Sequence, residues 1–405
     1  MPGSWDPLQN FEPQSQDPPK IVAIHLIHLP NGKFLAIGFN GLESRLWIPP
    51  PMSTPGRGKF VARPNSHNNT FCSGHCRLPD GRCFVAGGGW GAGFFASKLA
   101  DVFDPSGSGG WNPSPYPPSD MEHHRWYPTC TMLGNNGSGA PHMKVLVTLG
   151  RIHRDDGGNS RVCEIYNPAS PPGSWAEGPE INIVPTYPFN FVLPDGRVFC
   201  AGPRHLTRFL DANLTAWSNG PTNSDHQESD HCSAVMFLPG RILKVGGSMG
   251  QQGDTAVDKV SYIDMTAPSP AWQMQGIAQM KHPRQNHNLT LLPDGKVLIT
   301  GGNLVGSTSD PVFAAELYDP IANTMTELPP MDSNGPRWYH STAALLPDGR
   351  VVVAGGNNKE SQQIFRPPYF DGTFTRPVIG GAPSVMKYAN AYSFGYTPTN
   401  MSIAW

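Results

Sequence analysis

One phrase recurs along this chain and limits its fold more than any other feature. It reads LPNGKFLAIG at 29–38, LPDGRCFVAGG at 78–88, LPDGRVFCAG at 193–202, LPGRILKVGG at 238–247, LPDGKVLITGG at 292–302 and LPDGRVVVAGG at 346–356. In each copy a turn glycine is followed six residues later by a second one: 32/38, 81/87, 196/202, 240/246, 295/301 and 349/355. A seventh copy at 133–150 keeps the ending KVLVTLG after a longer turn, LGNNGSGAPHM. An apolar run leads into Pro-Asp-Gly, where Pro fixes φ and Gly supplies φ > 0. A short Val/Leu/Phe strand follows and stops at small glycines, so each copy predicts a β-hairpin.

A third strand follows most hairpins: VFDP at 102–105, EIYNP at 164–168, YIDM at 262–265, ELYDP at 316–320 and IFRPP at 364–368. Trp111, Trp175, Trp217 and Trp272 mark a fourth. Four short strands per unit of roughly fifty residues is a propeller blade, and the glycine pair with its later aromatic and Trp is the kelch pattern. The predicted fold is therefore all-β, a seven-bladed kelch-type β-propeller over 1–365. After Pro367 the repeat stops, and 366–405 are expected to be the incomplete start of a C-terminal β-sandwich (Ig-like) domain, too short for a core of its own. A long β-sandwich is the alternative, but six glycine pairs in one register argue against it.

Composition narrows the function. Gly and Pro total 89 of 405 residues, well above the usual ~12%, which excludes a helical bundle. Ten Trp and 10% aromatics argue against disorder. The formal charge of −2, with no basic cluster, gives no reason to expect nucleic acid or an anionic membrane as partner. No apolar run is long enough to span a membrane, and a monomer is expected. The seven Cys are odd in number and form no CxxC pair, so zinc knuckles and a disulfide framework are poorly supported.

The first strand of each blade lies nearest the propeller axis, so equivalent positions on those strands converge. Six residues before the Leu of each turn lie Ala23, Cys72, Tyr127, Tyr187, Cys232, Asn286 and His340. Tyr339 precedes His340, and His287 follows Asn286. Imidazole nitrogen and phenolate oxygen suit Cu(II). Cys72 and Tyr127 fall on adjacent blades at one height, where a thiol beside a phenol can be oxidised to a thioether-linked tyrosine.

The segments FCSGHCRLPDGRCFVAGG (71–88), HRWYPT (124–129) and RWYHSTAALLPDGRVVVAGG (337–356) resemble the copper radical oxidases, which include galactose oxidase and glyoxal oxidase. The resemblance covers nearly the whole chain. It implies that Cys72 links to Tyr127, that Tyr127 is an equatorial copper ligand and the radical site, that Tyr339 is the axial phenolate and proton acceptor, and that His340 is an equatorial ligand. It implies the cofactors copper and a Cys72–Tyr127 thioether-linked tyrosyl radical. The implied substrate is a primary alcohol or aldehyde, oxidised by O2 to an aldehyde or carboxylic acid with release of hydrogen peroxide. A secreted or extracytoplasmic location is implied too, although the start MPGSWDPLQNFEPQ has neither a basic n-region nor an apolar h-region.

The chain also departs from the family. The family's second His ligand comes from a loop of the C-terminal β domain, and no His follows His340 here. The expectation is that this chain, taken alone, binds copper poorly and turns over slowly or not at all. Galactose oxidase has a Trp stacked over the thioether; the segment here is TLGRIHRDDGG, with His153 as either the outer-sphere group or a solvated loop residue. Tyr187 and His287 either contact substrate or fill the channel. A non-catalytic kelch propeller that binds a protein or glycan is the competing reading.

Overall fold

The computed structural model describes residues 2–10, 21–89, 96–113, 119–134, 143–151, 158, 160–169, 173–182, 186–224, 231–248, 250, 254–371, 378–380 and 395–397. Seven antiparallel sheets of four or more strands make seven blades around one axis. Their inner strands are His25–His28 (blade I), Gly74–Arg77 (II), Thr129–Met132 (III), Asn190–Val192 (IV), Ser233–Leu238 (V), Gln285–Leu291 (VI) and Ser341–Leu345 (VII). Among the described residues helix is 3-10 only, at Pro368–Phe370 and at Ser224.

The hairpin logic holds atom by atom. In blade II the Gly81 N–H donates to Leu78 O at 2.9 Å and the Leu78 N–H to Arg82 O at 2.8 Å. Gly81 has φ +90°. This is a type I turn closed by a left-handed glycine, whose bulge matches the twist of the strands. The Asp80 side chain accepts from the Arg82 N–H at 3.0 Å, and Asp195, Asp294 and Asp348 do the same two residues on. The second glycines serve the blade interfaces. A Cβ on Gly87, Gly246 or Gly301 would collide with the carbonyl of Arg125, Arg284 or Arg337 on the next blade.

Seven apolar clusters fill the seven blade interfaces. Leu26, Phe34, Trp47, Val352 and Ile364 seal blade VII against blade I. Phe84, Val102, Val147 and Tyr166 pack II against III, and Leu298, Leu317, Val351 and Phe365 pack VI against VII. The four tryptophans read as fourth-strand markers sit on those strands, for example Gly110–Trp111 and Trp272–Gln273.

The ring is closed by the N-terminus, which carries no repeat signature. Ser4–Trp5 pairs with Ser361–Arg366 in the last blade, and Gln9–Asn10 pairs with the same strand. Trp5 packs on Phe365 at 4.7 Å, its indole N–H donates to Pro329 O at 2.8 Å, and Arg366 Nε donates to Asp6 at 2.8 Å. Beyond Arg366, Val378–Gly380 and Gly395–Thr397 form a two-stranded antiparallel ladder.

Candidate active site

Six residues at or just ahead of the start of the inner strands share a left-handed backbone: Cys72 (φ 57°), Tyr127 (63°), Tyr187 (47°), His231 (68°), Asn286 (56°) and His340 (66°). Non-glycine residues seldom adopt this conformation, and it costs on the order of 1–3 kcal/mol each. Here it turns each chain sharply at the mouth of the channel. The peptide groups chain together: Tyr127 N–H donates to Cys72 O, Tyr187 N–H to Tyr127 O and Asn286 N–H to His231 O, each at 2.9 Å.

Five members of this ring match the positions found with the Leu ruler. Blade V does not, because its turn is one residue shorter and its inner strand bulges between Met236 and Leu238. The ring residue there is His231, while Cys232 turns inward with its Sγ against Pro203 O at 3.5 Å.

Buried arginines fix the segments that enter the ring. Arg125, two residues before Tyr127, donates to Glu164 from Nε at 2.9 Å and from Nη2 at 2.7 Å, with exposures of 0% and 1%. Arg284, two residues before Asn286, donates to Glu316 at 2.6 Å. Arg337 donates to Gly355 O and Ser361 Oγ, both at 3.1 Å. Blade VII has one residue more between its arginine and the ring position. That extra residue is Tyr339, so Tyr339 and His340 both reach the mouth, with ring centroids 3.9 Å apart.

The cavity at the mouth holds about 1040 Å³ and is lined by Cys72, Tyr127, Tyr187, His231, Tyr339 and His340 among others. The Tyr127 and Tyr339 hydroxyls lie 2.8 Å apart. His340 Nε2 is 3.7 Å from Cys72 Sγ, and its Nδ1 lies 2.5 Å from Asn357 Oδ1. The amide oxygen only accepts, so Nδ1 carries the proton and Nε2 keeps its lone pair toward the cavity. Cys72 is buried among Phe71, Trp126 and Tyr127.

Burial dominates the electrostatics. It raises Tyr127, Tyr339 and Cys72 well above their ordinary values and lowers His340 to about 4. All four are neutral at pH 7. Two neutral phenols and an imidazole nitrogen that line one cavity fit a divalent metal, whose charge reverses the cost of ionising the phenols. Imidazole and phenolate together fit copper. Among the described residues no three of His, Cys, Asp and Glu gather as a metal-binding group; phenols carry this donor set.

Trp126 stacks on the Tyr127 ring at 4.4 Å with 23° between planes, so an indole covers this tyrosine from its own blade. His153 lies outside the described residues. Tyr187 meets the Tyr127 ring edge-on at 5.0 Å, and its hydroxyl donates to Ser73 O at 3.3 Å. His287 is buried, and its ring approaches Gly246 of blade V. His123 and His124 turn to different partners, Glu177 and Ala96 O. His231 meets the Tyr339 ring edge-on at 5.8 Å. His231, Asn357 and the role of Trp126 escaped the sequence reading; a ruler taken from Phe237, corrected for the short turn, would have found His231.

Residues 228–370 match a family model described as glyoxal oxidase N-terminus. The chain is 27% identical over 368 residues to "Aldehyde oxidase GLOX" of Vitis pseudoreticulata, covering 80% of this chain and 65% of that one. It is 28% identical over 353 residues to galactose oxidase of Gibberella zeae, covering 77% and 48%. The chain thus spans about half to two thirds of the length of these relatives. Among solved structures, a fungal alcohol oxidase in complex with copper superposes with a TM-score of 0.74 at 23% identity, covering 94% of this chain and 80% of that one. That likeness shows the propeller fold.

Proposed function

We propose that this chain, which belongs with the copper radical oxidases, oxidises a primary alcohol or aldehyde at the mouth of its propeller with O2 as acceptor. The observation that carries the reading is the meeting of four side chains from three blades: Cys72, Tyr127, Tyr339 and His340, with the two phenol oxygens 2.8 Å apart.

Tyr127, Tyr339 and His340 would hold the copper, with His340 binding through Nε2. Bound copper would supply a Lewis-acidic docking point for the substrate oxygen and a one-electron acceptor. Tyr339, as phenolate, takes the proton from the substrate hydroxyl. Tyr127, once linked to Cys72 and oxidised by one electron, would be the residue that takes a hydrogen atom from the substrate carbon. Trp126 shields the Tyr127 ring from water. The alcohol loses two electrons and two protons, and O2 gains both as hydrogen peroxide. The thioether has the same balance: the Cys72 thiol and one Tyr127 ring C–H lose two hydrogens as the C–S bond forms, and O2 takes them.

A peroxide-coupled assay of the copper-loaded chain against short primary alcohols, aldehydes and galactose tests the reading. It expects peroxide formation that Tyr339→Phe and Tyr127→Phe abolish. Glycan or peptide binding without copper-dependent peroxide would favour the binding-module reading instead.

A further inference from the structure

Five Asn-X-Ser/Thr triplets occur in the chain, at Asn68, Asn136, Asn213, Asn288 and Asn400. In a folded chain such a triplet can carry an N-linked oligosaccharide only where the asparagine amide stands clear of the packing, because the glycan is bulky and hydrophilic. Asn136 and Asn400 lie outside the described residues. The other three differ in what surrounds the amide.

Two of these amides hold the propeller together. Asn68 is 3% exposed; its Nδ2 donates to Gly87 O at 3.1 Å, and its Oδ1 accepts from Ser97 Oγ at 2.8 Å. Thr70, the third member of that triplet, is fully buried and donates to Gly41 O at 2.8 Å. Asn288 lies within the inner strand of blade VI, opposite Thr300. Its Nδ2 donates at 2.9 Å to Ser341 Oγ on the inner strand of blade VII. A sugar on either nitrogen would have to displace strand residues.

Asn213 is exposed, in the turn between the third and fourth strands of blade IV, Arg208–Leu210 and Trp217–Asn219. The turn is held without its side chain. The Asp211 carboxylate accepts from the backbone N–H groups of Asn213, Thr215 and Ala216 and from the Thr215 hydroxyl, at 2.5–3.0 Å. Leu214 points into the core between blades III and IV, which leaves Asn213 and Thr215 exposed on either side of it. Val192, Val198, Leu210 and Trp217 align across the four strands. Val192 ends the inner strand that Tyr187 precedes at the mouth, so the turn lies on the face opposite the candidate active site.

We propose that Asn213 is an N-glycosylation site. The donor is an oligosaccharide carried on a polyprenyl pyrophosphate. A C–N bond forms between Nδ2 and the anomeric carbon as the anomeric C–O bond breaks; Nδ2 loses one proton and the pyrophosphate leaves with the bonding pair. The glycan covers the far face and leaves the cavity open. Modification requires that the chain enter a secretory route, and it is independent of copper chemistry.

The test is expression of the full chain behind a cleavable secretion leader in a eukaryotic host, with recovery from cells and medium together. Treatment with peptide N-glycosidase F in heavy-oxygen water, then peptide mapping, reads each position. Wild type should lose glycan mass on treatment and carry the heavy label at 213. Asn213→Gln and Thr215→Ala should lose that label, whereas Thr215→Ser, Asn68→Gln and Asn288→Gln should keep it. An unmodified Asn213 in the leader-processed wild type, or a label confined to other positions, overturns the proposal.

Discussion

Glu164→Gln is a direct test of how the ring is held in place. The Glu164 carboxylate accepts three bonds: from Arg125 Nε at 2.9 Å, from Arg125 Nη2 at 2.7 Å and from the Glu122 N–H at 2.6 Å. Neither partner of the ion pair is more than 1% exposed. Glutamine removes the charge and turns an N–H₂ toward the guanidinium or the Glu122 amide, leaving Arg125 as an uncompensated buried cation. Breaking such a pair costs about 3–5 kcal/mol, and the one acceptor that glutamine keeps places the expected loss near 3 kcal/mol. With an unfolding entropy of about 2.1 cal/mol/K per residue over roughly 360 residues, that lowers Tm by about 4 °C. Urea unfolding followed by tryptophan fluorescence, with calorimetry alongside, measures it. The control is Asp264→Asn, which breaks the Arg241 pair at 2.9 Å between side chains 47% and 25% exposed and should cost about 0–1 kcal/mol. If Glu164→Gln costs no more than Asp264→Asn, the buried arginines do not anchor the ring.

Two further outcomes follow from the same geometry. Asn357→Ala removes the acceptor that fixes the Nδ1–H tautomer of His340, so copper affinity, read by chelator competition, should fall about 10–100-fold with little change in Tm. His287 is buried and lowered to about 3, whereas the unfolded chain protonates it near 6.5. Between those values the unfolded state binds more protons, so stability rises with pH and is lost as pH falls from about 6.5 toward 3, by about 1.4 kcal/mol per pH unit. His287→Asn should flatten that acid-side slope in urea titrations at a series of pH values.

Much of the fold could be read in the chain because each blade repeats a local solution. The Pro-Asp-Gly turns, the second glycines and the four outer tryptophans are set by neighbours in sequence, and they appear where the repeat predicted them. The closing strand was not legible. Ser4–Trp5 is only two residues long and pairs with a strand some 360 positions away, and nothing local marks it. The site shows the same division. One ruler brought Cys72, Tyr127, Tyr187, Asn286 and His340 to a single ring, because their inner strands run to the turn without a bulge. It slipped by one in blade V, where a bulge replaces the missing turn residue and His231 takes the place assigned to Cys232. Arg125 and Trp126 read only as residues before Tyr127. Their roles depend on Glu164, 39 residues on, and on a stacking angle, and neither is encoded in spacing.

The central claim is that Cys72 and Tyr127 are placed to become one cofactor. Intact mass of the purified chain before and after exposure to copper and O2 tests it most directly. The account predicts that wild type loses two hydrogens, while Cys72→Ser and Tyr127→Phe keep their mass, and that peptide mapping joins 72 to 127. An unchanged wild-type mass under copper and O2 would contradict it.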